Sequence, residues 1–306
     1  MRRTFVDVLC QLAAEDDRIA LITGDLGYMA LEPFRDRFPE RFLNAGVAEQ
    51  NMLGVATGLA EAGFRPYVYS IAPFASLRPF EFIRNGPVAH RLPVRIVGMG
   101  MGFDYGHSGF THYAVEDIGS LRTLLGLTIV VPADSAQAAA ALRDTRDVPG
   151  PVYYSLSKDQ SDPLPALHGR FALGEVQRVR EGRDVALVAM GGISLEVVAA
   201  AEELSSRGVE AAVLVVSNFS PDPANSLAAA LAGVRQAVTV EEQTSSGGLG
   251  AFAASVIACH GLQCRLEMIA VAAPPDGTSG KRAERWRKHG LDRSAIVRRA
   301  LEALGR

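Results

Sequence analysis

The sequence predicts an α/β chain of two domains, each a mainly parallel sheet with helices on both faces. Three observations predict it. Short apolar runs, such as Ile19 to Thr23 and Val94 to Met99, alternate with helical patterns through the first half. The alternation stops at DQSDPLPALHGR, residues 159–170, which carry two prolines and a glycine among polar residues. A second alternating pattern then runs towards the C-terminus. This places one domain at 1–160, a linker at 161–170 and a second domain at 171–306.

With 306 residues, the chain is long enough for two ordinary cores. Hydrophobic residues make up 48% and charged residues 21%, which is globular composition. A net charge of −3 argues against a nucleic-acid or membrane-surface role. Cys10, Cys259 and Cys264 lack metal-ligand spacing, and an odd number of thiols suits a reduced, cytoplasmic compartment. Asp7 and Gln11 interrupt the N-terminal apolar residues, so no signal peptide is expected. No uninterrupted apolar run is long enough to span a bilayer.

In chain order, Phe5, Val8, Leu9 and Leu12 mark an amphipathic helix, with Thr4 and Asp7 in a capping arrangement. The strand 19–23 ends at Gly24-Asp25-Leu26-Gly27. Strands follow at 66–72, 94–99, 127–131 and 152–156, with helices at 73–85, through Leu125 and from Asp134. In the second half strands are expected at 184–189, 210–216, 236–241 and 264–269. Helices are expected near 193–207, 247–260 and 292–303. The run Gly247-Gly248-Leu249-Gly250 lacks the Walker lysine and the dinucleotide glycine spacing, so it reads as tight strand-to-helix packing.

The stretch Phe42 to Phe64 organises the first domain. Arg41 to Gly46 looks like the end of a buried strand, and a helix starts near Ala48 with Met52, Val55, Ala56 and Leu59 on one face. Gly54 and Gly58 each destabilise that helix by about 1 kcal/mol relative to Ala. Close approach of another backbone is the expected reason. Glu49 stands at the strand-to-helix junction. It reads either as a helix N-terminal acid favoured by the macrodipole or as a partly buried acid able to hold and pass a proton.

Sites in a parallel sheet lie at the carboxyl ends of strands. There the first domain offers Asp25, Glu49, Phe74 and the Gly-rich loop Gly100 to Asp117 with His107 and His112. An acid, an aromatic and two histidines at successive strand ends form a plausible pocket. The histidines read equally well as loop residues with structural hydrogen bonds.

Residues 24–27 (GDLG), 38–51 (FPERFLNAGVAEQN), 57–63 (TGLAEAG), 111–118 (THYAVEDI) and 131–134 (VPAD), in that order, closely resemble the transketolase family. The chain resembles the second half of a transketolase encoded as a separate subunit: a pyrimidine-binding domain followed by a C-terminal domain. The resemblance implies thiamine diphosphate as cofactor. Glu49 would hydrogen-bond the ring nitrogen of its aminopyrimidine, where a carboxyl can deliver the proton that a Gln cannot. Phe74 would stack on the pyrimidine, Ile71 and Leu77 would wall the pocket, and Asp25 would support it. His112 would face substrate and serve a hydroxyl or developing alkoxide.

The diphosphate and Mg2+ half is missing. Family members hold it through GDG followed by Asn, and Gly24-Asp25-Leu26 is not that motif. The resemblance therefore implies a separate partner subunit carrying GDG…N, in an α2β2 assembly. The substrate residues also depart from the family pattern. Ser108 stands where Asp is usual, Gly100 where a second His is frequent, Lys158 for a phosphate-binding Arg, and Met29 for a small hydroxyl residue; Arg2 matches another phosphate-binding Arg. A Gly at 100 is expected to open space for a bulkier acceptor. The expected reaction moves a two-carbon ketol unit from a ketose or 2-oxo donor to an aldehyde or ketone. Two rival readings are the β subunit of a 2-oxoacid dehydrogenase and a non-catalytic stabilising subunit.

Overall fold

The computed structural model describes residues 1–159 and 163–306. The linker expected at 161–170 falls partly outside the described residues. Its remainder carries a short 3-10 turn at Pro165–Leu167.

The first half builds one sheet. Helix α1 (Arg2–Glu15) leads into β1 (Ile19–Thr23), α2 (Glu32–Arg37), β2 (Phe42–Asn44), α3 (Glu49–Glu61) and β3 (Arg65–Ile71). Next come α4 (Ala72–Ser76), α5 (Phe80–Ile83), β4 (Arg95–Met99), α6 (Asp117–Leu121), β5 (Thr128–Val130), α7 (Ser135–Asp144) and β6 (Val152–Leu156). The six strands lie in the order β2-β1-β3-β4-β6-β5, all pairs parallel. Strands β1, β4, β5 and β6 are buried along their whole length, as continuous apolar runs in a parallel sheet require. Register aligns the carboxyl ends. Thr23 pairs with Asn44 and Tyr69, and Met99 pairs with Ile71 and Leu156. The segments that follow these five strands therefore leave one edge of the sheet side by side.

The second half builds a five-stranded sheet from β7 (Val176–Arg180), β8 (Val185–Met190), β9 (Ala211–Val216), β10 (Gln236–Thr244) and β11 (Arg265–Val271). Helices α8 (Ser194–Ser206), α9 (Ala224–Leu231), α10 (Leu249–Cys259), α11 (Arg282–His289) and α12 (Arg293–Ala303) accompany it. The order is β11-β10-β8-β9-β7, and only β7 runs antiparallel. No helix of the described residues is long and apolar enough to cross a membrane.

The halves share one apolar cluster and also meet through polar contacts. Gln243 Nε2 donates to Asp117 Oδ1 at 2.9 Å, and Arg122 Nη1 donates to the Gly247 carbonyl at 2.6 Å. A Cβ at Gly247 would lie 2.7 Å from Gly119 Cα, so these two backbones touch. Gly250 packs against Met268 and Thr239 of the neighbouring strands. The glycine run thus serves packing, both within the second sheet and between the halves.

Several local expectations are corrected. Helix α1 begins at Arg2, so Thr4 and Asp7 lie inside it rather than at a cap. The helix expected over 73–85 is broken into α4, α5 and a π-helical turn at Arg84–Val88, where Pro79 and Pro87 supply no N–H. Strand β2 is an edge strand whose Leu43 and Asn44 are exposed, not a buried one. Gly54 and Gly58 face solvent with no atom within 4 Å of an added Cβ, so no backbone of this chain approaches them.

Candidate active site

Glu49 opens α3, yet its carboxylate does not serve the helix N-terminus. Its partners come from β3 and from the segment after α4. Arg78 Nη1 donates to Oε1 at 3.0 Å and to Oε2 at 3.1 Å, and Ser70 Oγ lies 3.5 Å from Oε1. The residue is only 2% exposed. Gly24 at the end of β1 contributes to this burial, since a Cβ there would lie 3.8 Å from Glu49 Cγ. A buried carboxylate needs such a partner, because desolvation otherwise penalises the charge heavily.

Phe74 sits on α4, which starts directly at the end of β3 with Pro73 at its first turn. The Arg78 guanidinium lies over its ring, 3.8 Å from the centroid. Phe74 and His112 meet edge-on with centroids 5.1 Å apart. Glu49, Phe74 and His112, carried by segments following β2, β3 and β4, thus form one connected cluster. Ile71 and Leu77 bracket α4; Ile71 is half-buried and Leu77 is 39% exposed.

His112 ends a 3-10 turn, Phe110–His112, and its Nδ1 is 2.9 Å from Thr111 Oγ1. Partial burial pushes its pKa below the ordinary histidine value, helped by the positive charge of Arg78 and then by His107. His107 and Ser108 share the preceding 3-10 turn and are both exposed. Tyr105 links this loop to the segment after β6. Its ring centroid is 6.1 Å from that of His112 and 6.3 Å from that of His107, and Lys158 Nζ lies 5.0 Å above it. Arg2 is half-buried, and its charge bears on Tyr105.

Tyr105 overturns one expectation. A Cβ at Gly100 would lie 2.2 Å from Tyr105 Cε2, and Gly100 has φ +91°. The small residue does not open room for a larger acceptor; it makes way for the Tyr105 ring.

Asp25 stands apart from this cluster. It is exposed, with φ 56°, and forms a reciprocal pair with Asn44: the Asp25 N–H donates to Asn44 Oδ1 at 3.0 Å, and Asn44 Nδ2 donates to Asp25 Oδ1 at 2.9 Å. Donation from Asn44, then from the Tyr28 hydroxyl, holds its carboxyl below the usual range. Among the described residues no group of three or more His, Cys, Asp or Glu side chains is placed to hold a metal ion.

Arg78 and Tyr105 escaped the sequence reading. Arg78 lies four residues after Phe74, which is the spacing of side chains one helical turn apart; that was the available signal. Tyr105 carried none, since an aromatic inside a Gly-rich loop has no periodic context. The buried ion cluster of Asp104, Glu242 and Arg282 was also missed. Arg282 Nη1 lies 2.7 Å from Asp104 Oδ1, and Glu242 Oε1 accepts the Trp286 indole N–H at 2.7 Å. This cluster ties the loop to α11. A cavity of about 330 Å³ lies beside it, between Phe103, Tyr113 and residues 271–289. Glu49, Phe74 and His112 do not line that cavity.

Comparison with known proteins is consistent over the whole chain. Residues 1–162 match the transketolase pyrimidine-binding domain, and residues 174–296 match the transketolase C-terminal domain. The chain is 34% identical to the 6-deoxy-6-sulfo-D-fructose transketolase subunit SqwH of Clostridium sp. (strain MSTE9), over 100% of this chain and 95% of that protein. It is 31% identical to a subunit of the apulose-4-phosphate transketolase of Actinobacillus succinogenes, over 93% of this chain and 92% of that protein. A solved split-gene transketolase, an inactive beta4 tetramer, superposes with a TM-score of 0.88 at 30% identity, covering 99% of this chain and 97% of that one. The chain belongs to the thiamine-diphosphate-dependent transketolase family and carries its pyrimidine-binding and C-terminal domains, the pair found in the split-transketolase subunits it matches.

Proposed function

We propose that Glu49, Phe74 and His112 are the pyrimidine-side half of a thiamine diphosphate site, completed by a second subunit. The chain is a subunit of a split transketolase-like transferase. The finer reading assigns its residues. The observation that carries it is the seat between Glu49 and Phe74. A flat, delocalised, N–H-bearing cation already lies there, stacked on the ring and donating to the carboxylate. A protonated aminopyrimidine presents the same plane and the same donor edge, so the residues present fit the group.

In this reading Glu49 holds a proton at the ring nitrogen, Phe74 offers the flat apolar face, and Ile71 and Leu77 flank it. Asp25, paired with Asn44, steadies the loop after β1. The bound cofactor supplies a carbanion-stabilising carbon for cleavage next to a carbonyl and transfer of a two-carbon unit. His112, biased towards its neutral form by partial burial and the nearby Arg78 charge, exchanges a proton or hydrogen bond with a substrate oxygen. Ser108 and His107 line the approach, and Lys158 and Arg2 provide positive charge beside Tyr105. Mg2+ and the diphosphate are assigned to the partner, through a GDG…N motif in an α2β2 complex. The exposure of Leu77 and Arg78 at the rim of the cluster supports this, because cofactor sites bury most of their ligand. Both named relatives act on unusual sugars, a sulfosugar and apulose 4-phosphate. That supports a specialised substrate here as well. The 2-oxoacid dehydrogenase reading finds no support among these relatives. The connected cluster weighs against a purely stabilising role.

Calorimetry tests the split site. Thiamine diphosphate with Mg2+ should bind negligibly to this chain alone, and binding should appear when a GDG-bearing subunit is added. Micromolar binding to the isolated chain would refute the proposal.

A further inference from the structure

We infer that Arg78 is a placeholder: in the cofactor-free chain it fills the seat between Glu49 and Phe74, and it must swing out before the aminopyrimidine enters. This rests on the reading of Glu49 given above. One side chain engages both groups assigned to pyrimidine recognition. Its guanidinium lies 3.8 Å from the Phe74 centroid, and its Nη1 donates to both Glu49 oxygens at 3.0 and 3.1 Å. A pyrimidine cannot stack on the same face of Phe74 while donating to the same carboxylate with the guanidinium in place.

The geometry also shows why the chain keeps a cation there. The Glu49 side chain is 3% exposed, and its other contact, from Ser70, is long at 3.5 Å. Without Arg78 the cofactor-free chain would hold a nearly unpaired buried carboxylate, which is strongly unfavourable. Arg suits the task better than Lys, because its planar, weakly hydrated group both stacks on an aromatic face and donates to a carboxylate. It is also well placed to leave. The Arg78 side chain is 44% exposed, it lies in the short break between α4 and α5, and its hydrogen bonds among the described residues go to Glu49 alone.

The expected consequence is a reduced apparent affinity. A cofactor that binds only the open form has its apparent Kd raised by the reciprocal of the open fraction. Arg78→Met keeps the apolar stem and removes the cation. Arg78→Lys keeps a charge but loses the stacked plane.

The test uses complexes assembled with the partner subunit, at saturating Mg2+. Thiamine diphosphate affinity is measured by calorimetry and association by stopped flow. Arg78→Met should bind about tenfold more tightly, chiefly through faster association, with Arg78→Lys intermediate. If both variants bind with wild-type or weaker affinity and no faster, the inference is overturned. If Arg78→Met fails to assemble, wild-type behaviour of Arg78→Lys overturns it equally. The underlying reading is tested separately, by exchange of the cofactor's thiazolium C2 proton in Glu49→Gln. Unchanged exchange would sink that reading and this inference with it. Normal loss of exchange together with unaltered Arg78 variants would sink this inference alone.

Discussion

The rings of Phe74 and His112, carried from two neighbouring strand ends, meet edge-on at 5.1 Å. The contact sets His112 partly inside the cluster, where burial and then the Arg78 charge resist its protonation. The sign follows directly. A histidine with lowered pKa takes up its proton at a lower pH than an ordinary one, so the site biases His112 towards its neutral form. NMR titration of the ring should give a midpoint below 6.5, the ordinary value. Arg78→Met should move that midpoint upward. A midpoint at or above 6.5 in the wild type would contradict this environment.

Substrate choice is expected to depend on Ser108. Its hydroxyl is exposed near His112 and carries no charge. Loss of a charged hydrogen bond to a substrate hydroxyl lowers discrimination by about 1.5–3 kcal/mol, a factor of about 10 to 150 in relative kcat/KM. The assembled enzyme should therefore turn over xylulose 5-phosphate with ribose 5-phosphate poorly, and Ser108→Asp should improve it. Because Tyr105 fills the space at Gly100, any preference for a different acceptor would arise from Ser108 and Lys158 rather than from a wider pocket. Efficient wild-type turnover of the pentose phosphates, unchanged by Ser108→Asp, would refute the assignment.

Glu241 gives the second sheet a pH-dependent stability. It is fully buried on β10 and accepts the Leu249 N–H at 2.5 Å and the Gly250 N–H at 2.7 Å at the start of α10. Burial raises its pKa from 4.5 to about 7 against those donors. Between those values the folded chain retains a proton that the unfolded chain has released. Its contribution is thus complete below about 4.5 and is lost as pH rises through about 7. Wild-type stability should fall relative to Glu241→Gln by about 1–3 kcal/mol from pH 5 to pH 8, measured by urea unfolding. Parallel pH profiles would show that Glu241 does not titrate in this window.

Much of the architecture was legible because buried parallel strands are continuous apolar runs; β6 (Val152–Leu156) matches its expected limits in full. The strand β7, VQRVR, was not, since its charged residues break both the run and the alternation along a half-buried antiparallel edge. Helix α11, RAERWRKH, lacks an apolar stripe and is held by ion pairs such as that of Arg282 with Glu242. Of the candidate site, Glu49 at a strand-to-helix junction and Phe74 at the next strand end were nominated by residue type, and the fold brings the two together through Arg78. Arg78 and Tyr105 were hidden because an isolated cation and a loop aromatic acquire meaning only from what they touch. The solvent-facing Gly54 and Gly58 show the same limit, since nothing in this chain approaches them.

The central claim is that Glu49 is the acid that serves the cofactor. Its carboxylate faces the sheet edge and not its own helix, and a Gln there keeps an acceptor for Arg78, so folding and assembly should survive the change. The direct measurement is the exchange rate of the cofactor's C2 proton in the assembled complex, wild type against Glu49→Gln. A loss of about 10²- to 10⁴-fold is predicted, the usual worth of a positioned acid or base. Exchange at the wild-type rate would make Glu49 a structural acid and contradict the account.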